Sequence, residues 1–87
     1  MKIIYTKHAR VKFQIYKRHK IKINEKHIKN VLQIPKTQDY SEWPEIIAVG
    51  TLDVHRSLIV VYKKDNSNYI IITFWPAKKG RYESKIQ

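Results

Sequence analysis

Two short basic segments contain the side chains of this sequence best suited to act on a phosphate group. The first, DVHRS, contains His55 and Arg56. The second, AKKGRYES, contributes four side chains: Lys78, Lys79, Arg81 and Tyr82. An imidazole exchanges protons near neutral pH, a guanidinium donates two parallel hydrogen bonds to phosphate oxygens, and a tyrosine stacks on bases or bonds through its hydroxyl. Together the two segments would form a pocket for a phosphodiester.

The strands beside these segments predict that the segments meet. SLIVVYK, Ser57 to Lys63, follows the first segment, and NYIIITFW, Asn68 to Trp75, precedes the second. The turn-rich KDNS between them predicts an antiparallel hairpin, which brings the start of one strand and the end of the other to the same edge. Pro76 is expected to end the pairing and Gly80 to permit a turn back toward His55. The alternative is a frayed basic terminus that makes sequence-neutral contacts.

Two helices are predicted in the first half of the chain. Thr6 is suited to cap a helix from Lys7 to about His19, and Asn24 a second helix from Glu25 to about Ile34. Pro35 stops the second helix, because the residue before a proline is pushed out of the α region.

The other predicted elements of secondary structure are strands. KIIY, Lys2 to Tyr5, predicts an opening strand, and TQDY and IIAVGTL (Ile46 to Leu52) precede the hairpin. The expected structure is one α+β domain, residues 1–87, with two helices packed on one face of a small, mainly antiparallel sheet in the order β-α-α-β-β-β(β).

The first helix contains polar residues among its apolar ones. A projection at 100° per residue gives one broad apolar arc: Ala9, Val11, Phe13, Ile15 and Tyr16. His8, Lys12 and His19 fall inside this arc, and polar groups on a packing side must be paired, reach an edge or be used. His8 is therefore a candidate for proton transfer. The alternative is a satisfied histidine beside a lysine that extends to the edge.

The charge balance favours a polyanionic partner. Eighteen Lys and Arg against seven Asp and Glu leave a net charge of +11, and the stretch from Lys7 to Lys29 contains nine cations and one acid. Nucleic acid is the leading partner class, and the residues expected to contact it are Arg10, Lys12, Lys17, Arg18, Lys78 and Lys79. The alternative is a solvated lysine surface. A chain that repels itself so strongly is expected to be a monomer when no partner is present.

Composition also excludes several kinds of site. The chain has no cysteine, which excludes disulfides, a thiolate zinc site and a cysteine nucleophile. Its four histidines lack the spacing of common metal sites, so we expect neither a metal nor another cofactor. No apolar run approaches the roughly 20 residues that span a bilayer. We expect a cytoplasmic protein.

The order of three segments resembles the RelE/ParE-like toxin superfamily, most closely its BrnT-like small proteins. These segments are HARVKFQIYKRHKIKINEKHIKNVLQIP, SLIVVYKKDNSNYIIITFWPA and KGRYES. The resemblance implies a ribonuclease toxin that cuts messenger RNA, with free RNA and ribosome-bound RNA both open as substrates, and that is neutralised by a bound antitoxin, expected here to be acidic.

The same resemblance implies which residues form the site. The RYE motif corresponds to Arg81, Tyr82 and Glu83, the basic residue entering the central strand to Arg56, and the HAR group to His8 and Arg10. His8 or His55 would serve as base or acid in an attack of the ribose 2′-hydroxyl on the adjacent phosphate, with Arg56 and Arg81 on the phosphate and Tyr82 on a base or in proton transfer.

Two other functions fit the sequence. One is a non-catalytic RNA- or DNA-binding module that uses the cations between Lys7 and Lys29. The other is a gyrase-directed toxin of the same superfamily, which would leave RNA intact.

Overall fold

Five strands form one mixed sheet with two α-helices packed against it, in a computed structural model that describes residues 2–79. The elements are β1 (Ile3–Tyr5), α1 (Lys7–Arg18), α2 (Glu25–Gln33), β2 (Thr37–Asp39), β3 (Ile46–Thr51), β4 (Arg56–Asp65) and β5 (Asn68–Lys78). Their order across the sheet is β1-β5-β4-β3-β2, with β1 parallel to β5 and every other pair antiparallel. The predicted α+β class and the antiparallel succession of β3, β4 and β5 are confirmed.

Both predicted helix caps are present. The Thr6 hydroxyl accepts a hydrogen bond from the Ala9 backbone N–H at 3.2 Å. The Asn24 side chain accepts from the His27 N–H at 3.2 Å, while His27 Nδ1 accepts from the Asn24 N–H at 3.0 Å. These bonds satisfy backbone donors that have no partner inside the helix. α2 ends at Gln33, just before Pro35, as predicted.

The packing side of α1 differs from the predicted arc. Ala9 is fully buried, and Phe13 and Tyr16 pack with their ring centroids 4.7 Å and 6.0 Å from that of Phe74. Val11 and Ile15, which the projection placed on the packing side, are 49% and 37% exposed. The helix packs on Phe74 of β5 and, through Phe13, on Tyr5 of β1, whose ring centroid lies 5.4 Å from that of Phe13. A narrow stripe therefore faces the sheet, and the part of the apolar arc that contains Val11 and Ile15 remains outside.

α2 lies very close to the sheet at Gly50 of β3. A Cβ at that position would lie 3.0 Å from Val31 Cγ2 and 3.3 Å from Val31 Cα. Glycine therefore permits the close approach. Ile28, Val31 and Leu32, the predicted apolar stripe of α2, are all buried.

The two helices lie on the same face of the sheet, as predicted. Gly50 pairs with Leu58, and Val60, two residues further along β4, pairs with Phe74. Since alternate residues of a strand share a face, Gly50 under α2 and Phe74 under α1 are on one side. One hydrophobic core joins both helices to this face of the sheet.

Pro76 does not end strand pairing, contrary to the prediction. β5 continues to Lys78, and Pro76 itself pairs with Leu58. β1 pairs with β5 only as far as Ile71, so Pro76 has a neighbouring strand on one side only. An edge of this kind tolerates a residue without a backbone N–H. Within residues 2–79, no helix is long and apolar enough to cross a membrane.

Candidate functional site

A basic pocket lies where β4 begins and β5 ends. It encloses about 520 Å³ and is lined by Ile21, Val54, His55, Arg56, Pro76, Ala77, Lys78 and Lys79. Four of these residues were predicted as site residues from the sequence: His55, Arg56, Lys78 and Lys79. None of the described lining residues is acidic. We refer to this hollow as the basic pocket.

Strand pairing brings the four predicted residues together. Arg56 is the register partner of Lys78 in the β4–β5 ladder. Just beyond this pair, the backbone N–H of Lys79 donates to the His55 carbonyl oxygen at 3.0 Å. The expectation that the start of one strand and the end of the other share an edge is therefore confirmed for these residues.

A side chain that sequence reasoning did not assign to the site holds the bend before β4. Asp53 Oδ1 accepts hydrogen bonds from the backbone N–H groups of His55 and Arg56, both at 2.8 Å. The N–H groups of Leu52 and Asp53 in turn donate to the Arg56 carbonyl at 3.1 Å. Asp53 thus fixes the backbone that carries the imidazole. An aspartate two residues before the histidine is the signal of such a turn.

Asp53 also compensates part of the positive charge. Hydrogen bonding to the His55 backbone N–H, followed by that to Arg56 and the nearby Arg56 charge, holds the pKa of Asp53 below its ordinary value. Its Oδ2 lies 3.9 Å from Arg56 Nη1, and both side chains are almost half exposed. An exposed pair of this kind is weak, so the Arg56 guanidinium remains able to take another anion.

The wall of the basic pocket is partly apolar. Ile21 comes from the connection between the helices, and Pro76 and Ala77 come from β5. Val54 adds an apolar side chain that is 78% exposed. Cations beside apolar walls suit a ligand with a charged backbone and flat, weakly polar groups, as a nucleotide has.

The predicted site residues of α1 do not line the basic pocket. His8 is exposed in the first turn of α1, whereas Ile21, which lines the basic pocket, follows the other end of that helix. Arg10 lines a separate hollow of about 410 Å³ and lies 5.9 Å from the centre of the Tyr5 ring. The Lys12 ammonium donates to the Tyr16 hydroxyl at 3.4 Å, which matches the alternative of a lysine packed at the edge.

Two predicted contacts at the end of α1, Lys17 and Arg18, are exposed in its last turn. The predicted Arg81, Tyr82 and Glu83 lie outside the described residues, and so does the proposed turn at Gly80. In residues 2–79, no three His, Asp or Glu side chains come together in a group that could hold a metal ion.

Comparison of the chain with protein-family models, with curated proteins and with solved structures gives no match. Functional inference therefore rests on the basic pocket and on the chemistry of its residues.

Proposed function

We propose that this chain is a metal-independent endoribonuclease that binds and cuts RNA in the basic pocket, as the toxin of a RelE-like toxin–antitoxin pair. The observation that carries this proposal is the convergence of one imidazole and three cations from two strand ends on a single hollow. Arginine and lysine neutralise phosphate, and an imidazole moves protons near neutral pH.

The cleavage step uses groups of the chain and of the RNA. His55 removes the proton of a ribose 2′-hydroxyl, and the 2′-oxygen attacks the adjacent phosphorus in line. The bond from phosphorus to the 5′-oxygen breaks, which leaves a 2′,3′-cyclic phosphate on one fragment. Arg56 stabilises the negative charge that accumulates on the phosphoryl oxygens. Among residues 2–79, Lys78 and Lys79 are the groups placed to donate a proton to the departing 5′-oxygen.

The partner protein is proposed from charge. A net charge of +11 makes an acidic antitoxin the complementary partner. An open reading frame for an acidic protein beside this one supports the pair, and its absence counts against it.

The second candidate function is a non-catalytic RNA- or DNA-binding module. The observation in its favour is the row of exposed cations on α1 outside the basic pocket: Arg10, Lys17 and Arg18. This function predicts binding without product, and it predicts that neutralising α1 weakens binding more than neutralising the pocket.

The experiment that separates these functions is product analysis with unstructured RNA in EDTA, with and without ribosomes. We expect the wild-type protein to shorten the RNA and Arg56→Ala to cut at least about tenfold more slowly, since a lost charge-stabilising donor typically costs more than that. Lys63→Ala is the matched control, because Lys63 is an exposed cation toward the other end of β4. Intact but bound RNA at every protein concentration would support the binding module instead.

A further inference from the structure

A second hollow adjoins the basic pocket. It encloses about 200 Å³ and is lined by Lys17, Lys20, Ile21 and Lys22. Ile21 also lines the basic pocket, so the two hollows share one apolar residue. Three lysines line the second hollow, and a histidine, an arginine and two lysines line the basic pocket.

The backbone at Lys20 is in a conformation that favours glycine. Lys20 has a φ of 60° directly after the C-terminal end of α1. The turn is closed by backbone bonds from the Lys20 N–H to the Lys17 carbonyl at 3.1 Å and from the Ile21 N–H to the Tyr16 carbonyl at 2.9 Å. Glycine is the usual residue at this place because it has no side chain to crowd the backbone. Lysine differs from glycine in carrying a positive charge, and Lys20 lines the second hollow.

Two apolar side chains, Ile21 in both hollows and Val54 in the wall of the basic pocket, suit an uncharged part of a ligand. Ile21 is half-buried and Val54 is largely exposed, and both line the basic pocket. Apolar surface between two groups of cations suits a base or ribose between successive phosphates. In a duplex the faces of the bases are stacked on each other and are not accessible to such a surface.

We propose that the two hollows form one channel for single-stranded RNA, with successive phosphates on either side of Ile21. Arg56, Lys78 and Lys79 hold one phosphate, and Lys20 and Lys22 hold a neighbouring phosphate. The proposal rests on the RNA-binding role proposed for the basic pocket. The expected substrate is therefore unpaired RNA that is longer than a dinucleotide.

The test is fluorescence anisotropy with labelled oligouridylates, a dinucleotide and a hexanucleotide, and with an RNA hairpin that is paired throughout its stem. The wild-type protein is expected to bind the hexanucleotide at least about fivefold more tightly than the dinucleotide at 0.1 M salt, as one added phosphate contact predicts. The hairpin should bind more weakly than the hexanucleotide.

Lys20→Gly is the decisive variant, because it removes the ammonium and relieves the backbone. We expect about fivefold weaker binding of the hexanucleotide, a salt slope smaller by about 0.7, unchanged dinucleotide binding and a melting temperature no lower than that of the wild type. Lys22→Ala should weaken hexanucleotide binding in the same way. Lys29→Ala is the control, since Lys29 is an exposed cation of α2 that lines neither hollow.

Three results would overturn the channel: equal affinity for the two oligonucleotides, equal losses in Lys20→Gly and Lys29→Ala, or tighter binding of the hairpin. Failure of the proposed function gives a different result, in which the wild-type protein binds oligonucleotides but Arg56→Ala binds them as tightly as the wild type does.

Discussion

The backbone N–H of Lys79 donates to the carbonyl oxygen of His55 at 3.0 Å, one step beyond the register pair of Arg56 and Lys78. This bond joins the segment before β4 to the segment after β5, which are far apart in the sequence. The basic pocket is therefore held by main-chain bonds and by the Asp53 carboxylate, and not by the charged side chains that line it. Those side chains can be replaced singly with little effect on the fold, which makes the site accessible to mutagenesis.

Two substitutions of Asp53 separate the effect of its hydrogen bonds from the effect of its negative charge. In Asp53→Asn the side-chain oxygen still accepts from the His55 and Arg56 N–H groups, but the negative charge beside Arg56 is lost. We expect RNA affinity to rise by about two- to fivefold, the range of a single exposed charge pair. In Asp53→Ala the acceptor is lost, and the free energy of unfolding should fall by about 1 kcal/mol. RNA titration and urea unfolding followed by tryptophan fluorescence check the two effects.

The stability of the wild type and of Asp53→Asn at acid pH provides a control for the role of the Asp53 charge. The lowered pKa of Asp53 means that the carboxylate stabilises the fold above its ordinary pKa of 3.8 and that this contribution is lost as the pH falls through and below that value. Asp53→Asn cannot lose it, so its stability should fall less than that of the wild type below about pH 4. Identical acid profiles for the wild type and Asp53→Asn, or equal stability of the Asn and Ala variants at neutral pH, would refute the assigned role.

Gly50 is predicted to be sensitive to an added side chain while Val31 is present. The Cβ of Gly50→Ala would lie 3.0 Å from Val31 Cγ2, so Val31 must move by a few tenths of an ångström, at a cost of about 1–3 kcal/mol. Val31→Ala removes that methyl group and makes room. In this background, Gly50→Ala should cost less than half as much. Urea unfolding of the four proteins of the cycle measures the coupling, and strictly additive losses would show that Val31 does not limit the approach.

Alkaline pH should destabilise the protein through its buried tyrosines. Burial, with smaller contributions from Tyr40 and Tyr69, raises the pKa of Tyr62 from 10.0 to about 12. Burial, followed by the Glu25 charge, raises the pKa of Tyr5 to about 12 as well. A raised pKa means that the neutral phenol is favoured in the fold, so its contribution is complete below pH 10.0 and is lost as the pH rises to about 12.

The variant that checks this is Tyr62→Phe, which cannot ionise. Between pH 10 and about 12 its free energy of unfolding should fall less steeply than that of the wild type. Tyr5→Phe should have a similar effect, and the double variant should show the shallowest decline. If all four proteins lose stability in parallel over this range, ionisation of these phenols is not the cause.

Local signals were sufficient to predict most of the fold. Thr6 and Asn24 cap the helices and Pro35 limits α2 because these effects act over a few residues. The parallel pairing of β1 with β5 joins the two ends of the described chain, and no local pattern reports such a contact. Pro76 misled the prediction, because a proline can remain in a strand whose other edge has no partner.

The site was predicted in part. His55, Arg56, Lys78 and Lys79 could be brought together because a hairpin fixes which strand ends are neighbours. His8 was predicted as a site residue from its angular position around the axis of α1. That angle gives no information on how far along the sheet the residue lies. Ile21 was missed because its place depends on how α1 packs on Phe74, which is a tertiary contact.

The most direct test of RNA cleavage in the basic pocket compares the wild type with His55→Ala on the same labelled, unstructured RNA in EDTA, with binding and single-turnover cleavage measured in parallel. His55 is held through its backbone, so the variant should fold and bind RNA within about twofold of the wild type. Its cleavage rate should fall at least about 100-fold, with a 2′,3′-cyclic phosphate on the wild-type product. Equal cleavage by the two proteins, or intact RNA under saturating wild-type protein, would contradict the proposal.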